Sequence, residues 1–490
     1  MRTLDELRRC AAKGLDYLKS QKDVKEAEIF VSCNDILTVR LNYTSDISCN
    51  GVHEPKNVVG WGVGILAVFG TQNGVKVGFG SESGDLSLNA IKRALEKARR
   101  GAVKDPDFKS LPVPSETSPS LISYHDERVM KLDDEGMVAL GWRALSGALI
   151  TFKESGYMKS LIVNGDVTVL KERMAVANTS GIYDYDESTI LMAAITTMIE
   201  EEQAKGTGWV TATYLSRFDP EEAGLMAAKS AIGTVGGKRI ESGNYKVVLG
   251  RQPVTEIFSG LLVPSLTLSS VDAGSSPFTG KLGEKIASDI VSVYDDGAVP
   301  GEIGSKKITC EGLPTGRTDL INKGKLVGFL ANYYYAKKCE NLGEFSPRSG
   351  FRFGGGGRSF RHSTGIFATN IVVEGSEEVT SEELVSQVKD GIYIGRIWYV
   401  YPINALARAD FTGTVAGDSY IIRDGRLAEP LKPNTVRIRD NFVRALANIR
   451  GVSREKKSTL VWGSEEVVIA PEISVDEVSL ENIAQFMETI

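Results

Sequence analysis

Residues 245–296 constrain the fold of this chain more than any other stretch. They begin with a short β-rich run, residues 246–250, and continue into a predominantly apolar segment, residues 254–268. A segment this apolar avoids water, so we predict a buried strand that leads into a largely buried helix. Proline has no N–H and clashes with the preceding turn, so Pro264 is expected to end or kink this helix.

The overall composition is that of an ordinary soluble globular protein. The chain has 490 residues, of which 42% are hydrophobic, and its net charge is −6. The acidic balance argues against a nucleic-acid-binding surface, which needs a basic excess to neutralise phosphates. The five cysteines form no C-x-x-C pair, a pattern typical of reduced thiols in the cytosol. No apolar stretch reaches transmembrane length, so we expect a cytoplasmic chain with neither a membrane nor a nucleic-acid partner.

The predicted elements divide the chain into three blocks and indicate an α+β fold. Residues 1–110 alternate helices and strands, which predicts an N-terminal α/β domain. Residues 111–238 begin with a Pro- and Ser-rich crossover and form a central α+β region. Residues 239–490 predict a large strand-dominated C-terminal domain that contains the buried helix.

Local signals place several elements inside these blocks. Thr3 and Glu6 have the spacing of a capping box at the start of an amphipathic helix over residues 4–19. The dipeptide Asn164-Gly165 lies between apolar runs and predicts a β-hairpin. The tail, residues 474–490, is expected to form a short terminal helix.

The third block resembles the TldD/PmbA family through several spaced motifs. They are Phe-Thr-Gly-Lys-Leu-Gly-Glu-Lys at residues 278–285, Gly-Arg-Thr-Asp-Leu-Ile-Asn-Lys-Gly at 316–324, Asp-Gly-Ile-Tyr at 390–393, and Asp-Phe-Thr-Gly-Thr-Val-Ala-Gly-Asp-Ser-Tyr at 410–420. Residues 59–79 also fit the first domain of that family. The resemblance covers nearly the whole chain. It implies three consecutive regions, a dimeric assembly and a link to proteolytic processing of small peptides, historically described as modulation of DNA gyrase.

The resemblance also implies where a zinc site would lie. The catalytic branch of the family carries H-E-x-x-x-H on the buried helix and a later cysteine, whereas the PmbA (TldE) branch lacks them. Two imidazoles and a thiolate hold the ion, and the glutamate activates a zinc-bound water. The motif falls on Ser259, Gly260 and Pro264, none of which can serve. No histidine occurs between His125 and His362, so a shift in register does not restore the motif.

Two other stretches contain candidate site residues. His53-Glu54 is followed by Pro55 and by no second histidine, which favours a surface loop over a metal site. Residues 351–363 combine four glycines with several arginines, including Arg358, and with His362. Such a loop could cover a peptide or bind an anion, but glycine runs also supply flexibility alone, and a mobile surface loop is the default interpretation.

Three carboxylates have simpler interpretations. Asp295 and Asp296 precede Gly297 and are most simply turn residues. Glu256 is the one carboxylate in the apolar segment, where an unpaired buried charge is costly. It either lies at the helix start, where the helix dipole favours it, or marks a vestigial cavity; we favour the helix start.

The resemblance and the missing ligands lead to one functional hypothesis. We expect a non-catalytic PmbA-like subunit with no catalytic residues and no metal, with zinc confined to a TldD-like partner subunit and unfolded peptide as substrate. Candidate peptide-groove residues are Ser259, Gly260, Pro264, Arg358 and His362. The alternatives are a stand-alone metallopeptidase with an unrecognised site and a homodimeric regulatory or binding protein.

Overall fold

One antiparallel sheet, which we name the first sheet, organises the N-terminal half of the protein. The computed structural model describes residues 2–72, 74–117, 121, 124–354, 356–460 and 467–483. The strands of the first sheet are β1 (Val24–Thr44), β2 (Gly51–Val52), β3 (Lys56–Thr71), β4 (Gly74–Ser83), β5 (Val103–Lys104), β6 (Leu161–Asn178), β7 (Tyr183–Ile199) and β8 (Ala204–Ala212). They lie in the order β5-β4-β3-β1-β6-β7-β8, and β2 pairs with β1. Because β1 pairs with β6, strands on either side of residue 110 share one sheet, and the division there stays a prediction.

Helices cover one face of the first sheet. They are α1 (Leu4–Lys19), α2 (Leu88–Arg100), α3 (Glu127–Met130), α4 (Asp134–Glu154) and α5 (Pro220–Gly233). The predicted capping box of α1 is confirmed, since the Thr3 hydroxyl accepts from the Glu6 N–H and the Glu6 carboxylate accepts from the Thr3 N–H. Two apolar clusters fill the space between these helices and the sheet.

The predicted hairpin at Asn164-Gly165 is wrong. Both residues lie inside the continuous strand β6, where Gly165 pairs with Leu41 on one side and Ile195 on the other. A Cβ at Gly165 would lie 2.1 Å from the Ala194 carbonyl oxygen. The glycine therefore allows close approach of two strands, and long-range pairing overrides the local turn signal.

The remaining strands form two further sheets and a short ribbon. They are β9 (Gly243–Leu249), β10 (Val291–Asp296), β11 (Arg317–Asn322), β12 (Lys325–Leu326), β13 (Gly350–Phe351), β14 (Gly365–Ile366), β15 (Asn370–Gly375), β16 (Glu378–Val379), β17 (Gly391–Pro402), β18 (Asp410–Arg423), β19 (Arg426–Pro430), β20 (Val436–Asn441), β21 (Ile449–Ser453), β22 (Lys457–Leu460), β23 (Val467–Ala470) and β24 (Ile473–Asn482). The helices of this region are α6 (Arg251–Ile257), α7 (Val263–Ser265), α8 (Leu268–Asp272), α9 (Tyr333–Lys338), α10 (Ser381–Val388) and α11 (Phe442–Ala447).

A closed barrel lies at the centre of this region. Strand β9 pairs in parallel with β17 and antiparallel with β24, and β18 and β20 complete the circuit. A second sheet has the order β12-β11-β10-β15-β23-β22. The largest apolar cluster fills the space around α6 and includes the buried side chains of Val254, Phe258 and Leu261. The predicted α+β class, with a large strand-dominated C-terminal region and a buried helix, is confirmed.

The predicted terminal helix is wrong within the described residues. Residues 473–482 form β24, whose side chains at Ile473, Val475, Val478 and Leu480 are buried. Residues 484–490, which were also part of that prediction, lie outside the described residues. In the part of the chain that the structure describes, no helix is long and apolar enough to cross a membrane.

The second face of the first sheet, which we name the inner face, packs against the C-terminal region. An apolar cluster joins Phe30 and Met174 of the sheet to Ile308, Phe351 and Phe360. The last two residues flank or belong to the loop between β13 and β14, residues 352–364, which we name the Gly-rich loop. The two halves of the protein therefore share a continuous core.

Candidate functional site

The helical segment predicted to carry the zinc motif is irregular at the predicted positions. Helix α6 passes directly into a π-helical turn, Phe258–Leu262, which continues into α7 and ends at Ser265. The segment therefore extends one residue past Pro264. The irregular turn directly precedes this proline, which lacks the N–H that would form a hydrogen bond within the turn. Such π turns are frequent at functional sites because they widen the helix locally.

The three residues at the zinc-motif positions contribute no metal ligand. The buried Ser259 hydroxyl donates to the Thr255 carbonyl oxygen at 2.8 Å within the same helix. Gly260 is exposed, and a Cβ there would meet nothing closer than the Val400 carbonyl oxygen at 3.9 Å. Pro264 is half-buried and has no donor atom in its side chain. Zinc needs imidazole, thiolate or carboxylate ligands, so these positions do not fit the ion.

Glu256 lies in the last turn of α6 and not at its start. Its Oε1 accepts a hydrogen bond from Gln252 Nε2 at 2.8 Å. Burial raises the pKa of this carboxyl, while the charge of Arg396 and the bond from Gln252 lower it. The amide of Gln252 also exchanges two hydrogen bonds of 3.0 Å with the backbone of Ile397, which ties α6 to β17.

Two cavities lie between the inner face of the first sheet and the C-terminal region, and we name the space that contains both of them the interdomain groove. Its floor is formed by alternate residues of β6 and β7. A cavity of about 290 Å³ lies over Thr168, Leu170 and Met192, and a second of about 230 Å³ lies over Asn164 and Met198. Successive strand residues rise about 3.3 Å, so Asn164 and Thr168 are about 13 Å apart. The two cavities are thus arranged along one pair of strands.

Described residues of the Gly-rich loop form one wall of the larger cavity, and the expected surface position is wrong for its two buried arginines, Arg352 and Arg358. Arg358 is fully buried, and its guanidinium donates to Asp186 at 2.7 Å and to Ser188 at 3.2 Å. Its backbone N–H donates to Glu172 at 2.6 Å. Glu172 is also paired with Lys306 at 3.2 Å. Because acidic side chains of the sheet neutralise the arginine, the loop is fastened to the inner face.

The balance of charge at this cluster is visible in the pKa of Glu172. Burial alone would raise that pKa, but Lys306 and Arg358 outweigh burial and lower it to about 2. Arg352, also fully buried, forms a second ion pair with Glu28. The backbone of the loop also approaches β3 closely at Gly64, because a Cβ at that position would lie 2.4 Å from the Phe360 carbonyl oxygen.

His362 lies at the other end of the Gly-rich loop and is exposed. Its backbone carbonyl accepts from Arg352 at 3.0 Å, and its ring packs where a Cβ at Gly354 would lie. The structure therefore places Arg358 and His362 on the loop, and Ser259, Gly260 and Pro264 on the helical segment. Contact of any of the five with a peptide stays a prediction.

A buried carboxyl that the sequence did not reveal lies next to the second ion pair. Glu311 lines a cavity of about 270 Å³ together with Glu28 and Tyr333, and it accepts from the Tyr333 N–H at 3.0 Å. Burial and the neighbouring Glu28 together raise the pKa of Glu311 to about 8, despite that hydrogen bond and the charge of Arg352. The guanidinium of Arg352 forms an ion pair with Glu28 and also attracts Glu311 electrostatically.

The predicted turn at Asp295-Asp296 and the loop at His53 have different outcomes. Asp295 is a buried strand residue at the end of β10, and its Oδ1 accepts two 2.8 Å hydrogen bonds from Thr369. Asp296 also belongs to β10, where it pairs with Arg317, so the turn interpretation is wrong for both residues. His53 is exposed between β2 and β3.

One group of side chains among the described residues has metal-ligand spacing. His125 Nε2 is 3.4 Å from Glu187 Oε1 and 4.0 Å from Glu127 Oε1. Arg173 donates to the second oxygen of Glu187 at 3.1 Å and already supplies a positive charge there. The sequence contains no signal for this group, because the fold brings the segment that precedes α3 next to Glu187 of β7, about sixty positions later.

Comparison with known proteins identifies the family. A model described as the PmbA/TldA metallopeptidase C-terminal domain matches residues 242–482, the region that contains the barrel and the irregular helix. The chain belongs to the TldD/PmbA family. The family resemblance predicted from the sequence is thus confirmed.

Relatives and solved structures agree with this assignment. The chain is 24% identical to an uncharacterized protein of Methanocaldococcus jannaschii over 62% of this chain and 67% of that protein. It is 20% identical to a metalloprotease TldD homolog of Buchnera aphidicola over 86% of this chain and 87% of that protein. The crystal structure of TldE from Thermococcus kodakarensis is similar, with a TM-score of 0.78 and 18% identity, over 96% of this chain and all of that one. The structural likeness concerns the fold.

Proposed function

We propose that this protein is a non-catalytic, PmbA/TldE-like subunit of a TldD/PmbA peptidase system that processes or degrades small unfolded peptides. One observation carries the proposal: Ser259, Gly260 and Pro264, the residues on which the family resemblance places the zinc motif, lie on the irregular helical segment and offer no zinc ligand. A hydroxyl bonded to its own helix, a hydrogen and a pyrrolidine ring do not bind zinc. Such a chain contributes scaffold, groove and interface while a zinc-bearing subunit hydrolyses the peptide.

The interdomain groove supports the part of the proposal that concerns peptide. Strand β22 is the terminal strand of its sheet, and Leu460 at its end lines the larger cavity. An extended peptide in the groove would be held mainly by main-chain hydrogen bonds, with side chains entering the cavities. This mode recognises unfolded segments with little sequence preference.

An exposed apolar patch supports the presence of a partner subunit. Tyr399 is 73% exposed, Tyr401 is 53% exposed, and Ile403 follows on the same strand end. The patch adjoins the irregular turn, because the carbonyl of Val400 is the atom nearest to a Cβ at Gly260. Tyrosine is enriched at the centre of protein interfaces. We assign this patch to contact with a zinc-bearing TldD-like subunit.

The first test is metal analysis of the purified chain together with cleavage of an unstructured peptide, with and without a zinc-bearing family member. We expect no stoichiometric zinc and no cleavage from the isolated chain, and both from the mixture. Stoichiometric zinc with cleavage by the isolated chain would refute the proposal in favour of a stand-alone metallopeptidase. In that outcome, His125→Ala should abolish the zinc if the ion lies in the group with Glu127 and Glu187.

The interface is tested with matched aromatic variants. Tyr399→Ala combined with Tyr401→Ala should weaken co-purification with the zinc-bearing member. The matched control is Trp142→Ala, which should leave co-purification unchanged, because Trp142 is also an exposed aromatic but lies on α4 and not in the patch. A different result would establish a homodimeric binding protein. In that case the isolated chain would self-associate, the double tyrosine variant would not, and no zinc-bearing family member would bind.

A further inference from the structure

The smaller cavity of the interdomain groove has the chemistry of a carboxylate site. It lies where β7 and β8 meet α5 and the barrel strands β17 and β18. Two cationic side chains, Arg396 and Lys205, line it together with the hydroxyl of Ser230 and the amide of Asn164. Its remaining walls are largely apolar and include Trp398.

Arg396 is the strongest indication of a ligand. Within the described part of the chain, its guanidinium forms neither an ion pair nor a side-chain hydrogen bond, and its Nε is buried without an acceptor. The carboxylates of Glu256 and Asp418 act on it only through longer-range Coulomb attraction. Its one close aromatic contact is the Trp209 ring, 5.6 Å from the guanidinium carbon. Arg396 as a residue is only partly buried, but a buried Nε without an acceptor is costly, and a group that supplies acceptors in the cavity would relieve that cost.

A second buried donor converges on the same cavity. Ser230 on α5 is 7% exposed, and its hydroxyl has no hydrogen-bond partner among the described residues. Lys205 on β8 lines the cavity from the opposite strand edge and is only half-buried. Guanidinium, hydroxyl and ammonium together favour an anionic acceptor with two oxygens, which arginine binds with both nitrogens.

The local charge balance favours a singly charged anion. Arg396 and Lys205 supply two positive charges, and the nearby acids Glu256 and Asp418 offset much of them. A carboxylate on an apolar stem fits both this reduced positive charge and the apolar walls.

We propose that this cavity binds the C-terminal carboxylate of a peptide that lies in the interdomain groove. The inference rests on the proposed function and adds a direction to it. Asn164 under this cavity and Thr168 under the larger cavity are four residues apart on β6, about 13 Å. An extended peptide anchored by its carboxylate therefore places a side chain about four residues upstream in the larger, apolar cavity.

The test uses fluorescence anisotropy of the purified full-length chain with N-terminally labelled, unstructured ten-residue peptides whose first nine residues include no acids. One peptide ends in a free carboxylate, a second in an amide, and a third in an amidated glutamate. A charge-assisted pair is worth about 1.5–3 kcal/mol, so we expect the free acid to bind about tenfold or more tightly than the amide. Arg396→Gln and Ser230→Ala should each reduce that ratio, while Arg426→Gln, at an exposed arginine of β19, should leave it unchanged.

The outcomes separate this inference from the proposed function. Equal binding of acid and amide by the unmodified chain overturns the carboxylate site and leaves the groove intact. Binding of none of the three peptides contradicts the groove itself. Tight binding of the amidated glutamate assigns the cavity to side-chain carboxylates and overturns the predicted direction. The comparison of acid and amide needs no variant, so it stands even if Arg396→Gln fails to fold.

Discussion

Replacement of Arg358 by glutamine tests whether the Gly-rich loop is held by buried charge. The substitution removes the 2.7 Å ion pair to Asp186 and the attraction to Glu172, and it leaves two fully buried acids, of which Glu172 keeps its ion pair with Lys306. Removal of one partner from a buried ion pair costs about 3–5 kcal/mol. We expect a loss of that size in the free energy of unfolding.

Urea denaturation followed by tryptophan fluorescence measures this loss. The matched control is Arg361→Gln on the same loop, which should change stability by less than about 0.5 kcal/mol because Arg361 is exposed. The double variant with Glu172→Gln should be less destabilised than the sum of the single variants, since each removes part of the same cluster. A change below about 1 kcal/mol in Arg358→Gln would refute the assignment of buried charge to this loop.

The same cluster predicts a pH dependence with a definite sign. The pKa of Glu172 is about 2 in the folded protein against an ordinary value of 4.5. The stabilisation by this group is therefore complete above pH 4.5 and is lost as the pH falls toward 2. Arg358→Gln raises the pKa of Glu172 in the folded state, so its acid unfolding should begin at higher pH. Identical acid-unfolding profiles for the two proteins would contradict the argument.

Three further predictions concern other parts of the fold. The pKa of Glu311 is about 8 against an ordinary 4.5, so the stability of the wild-type protein falls as the pH rises from 4.5 to 8. Urea titrations should therefore show Glu311→Gln gaining up to about 5 kcal/mol in the free energy of unfolding, relative to wild type, by pH 8. Parallel stability profiles of the two proteins would contradict this. Gly64→Ala should lose about 1–3 kcal/mol, whereas Gly60→Ala, with nothing within 4 Å of its Cβ, should lose far less, as measured by thermal melting; equal losses would contradict the close packing on Phe360. In the native protein Ellman's reagent should titrate one thiol, that of the exposed Cys49, and all five after unfolding; several fast native thiols would refute this.

Elements with local signals were predictable from the sequence. The capping box at Thr3 begins a helix at the expected residue. The buried helical segment followed from its apolar content alone, and the absence of zinc ligands followed from the positions of the histidines. Each of these features depends on residues close together in the chain.

Elements that depend on distant partners were not predictable. Arg358 lies among glycines, which suggests exposure, and its acidic partners lie 172 and 186 residues earlier. The terminal strand β24 was mistaken for a helix because a bulge between Val475 and Val478 interrupts the alternation of its buried residues. Spacings of two, three and two do not distinguish a bulged strand from a short helix.

The same strand limits how early the C-terminal region can fold. The barrel closes only when β9 pairs with β24, through contacts such as that of Leu249 with Ile473, which join the two ends of a segment of more than two hundred residues. Contacts of such high sequence separation slow folding, because loop-closure entropy is lost before the contacts form. During synthesis on the ribosome, the first sheet can assemble early, whereas the barrel cannot close until β24 has been synthesised. The apolar strands of the barrel are then exposed to aggregation until β24 has been synthesised.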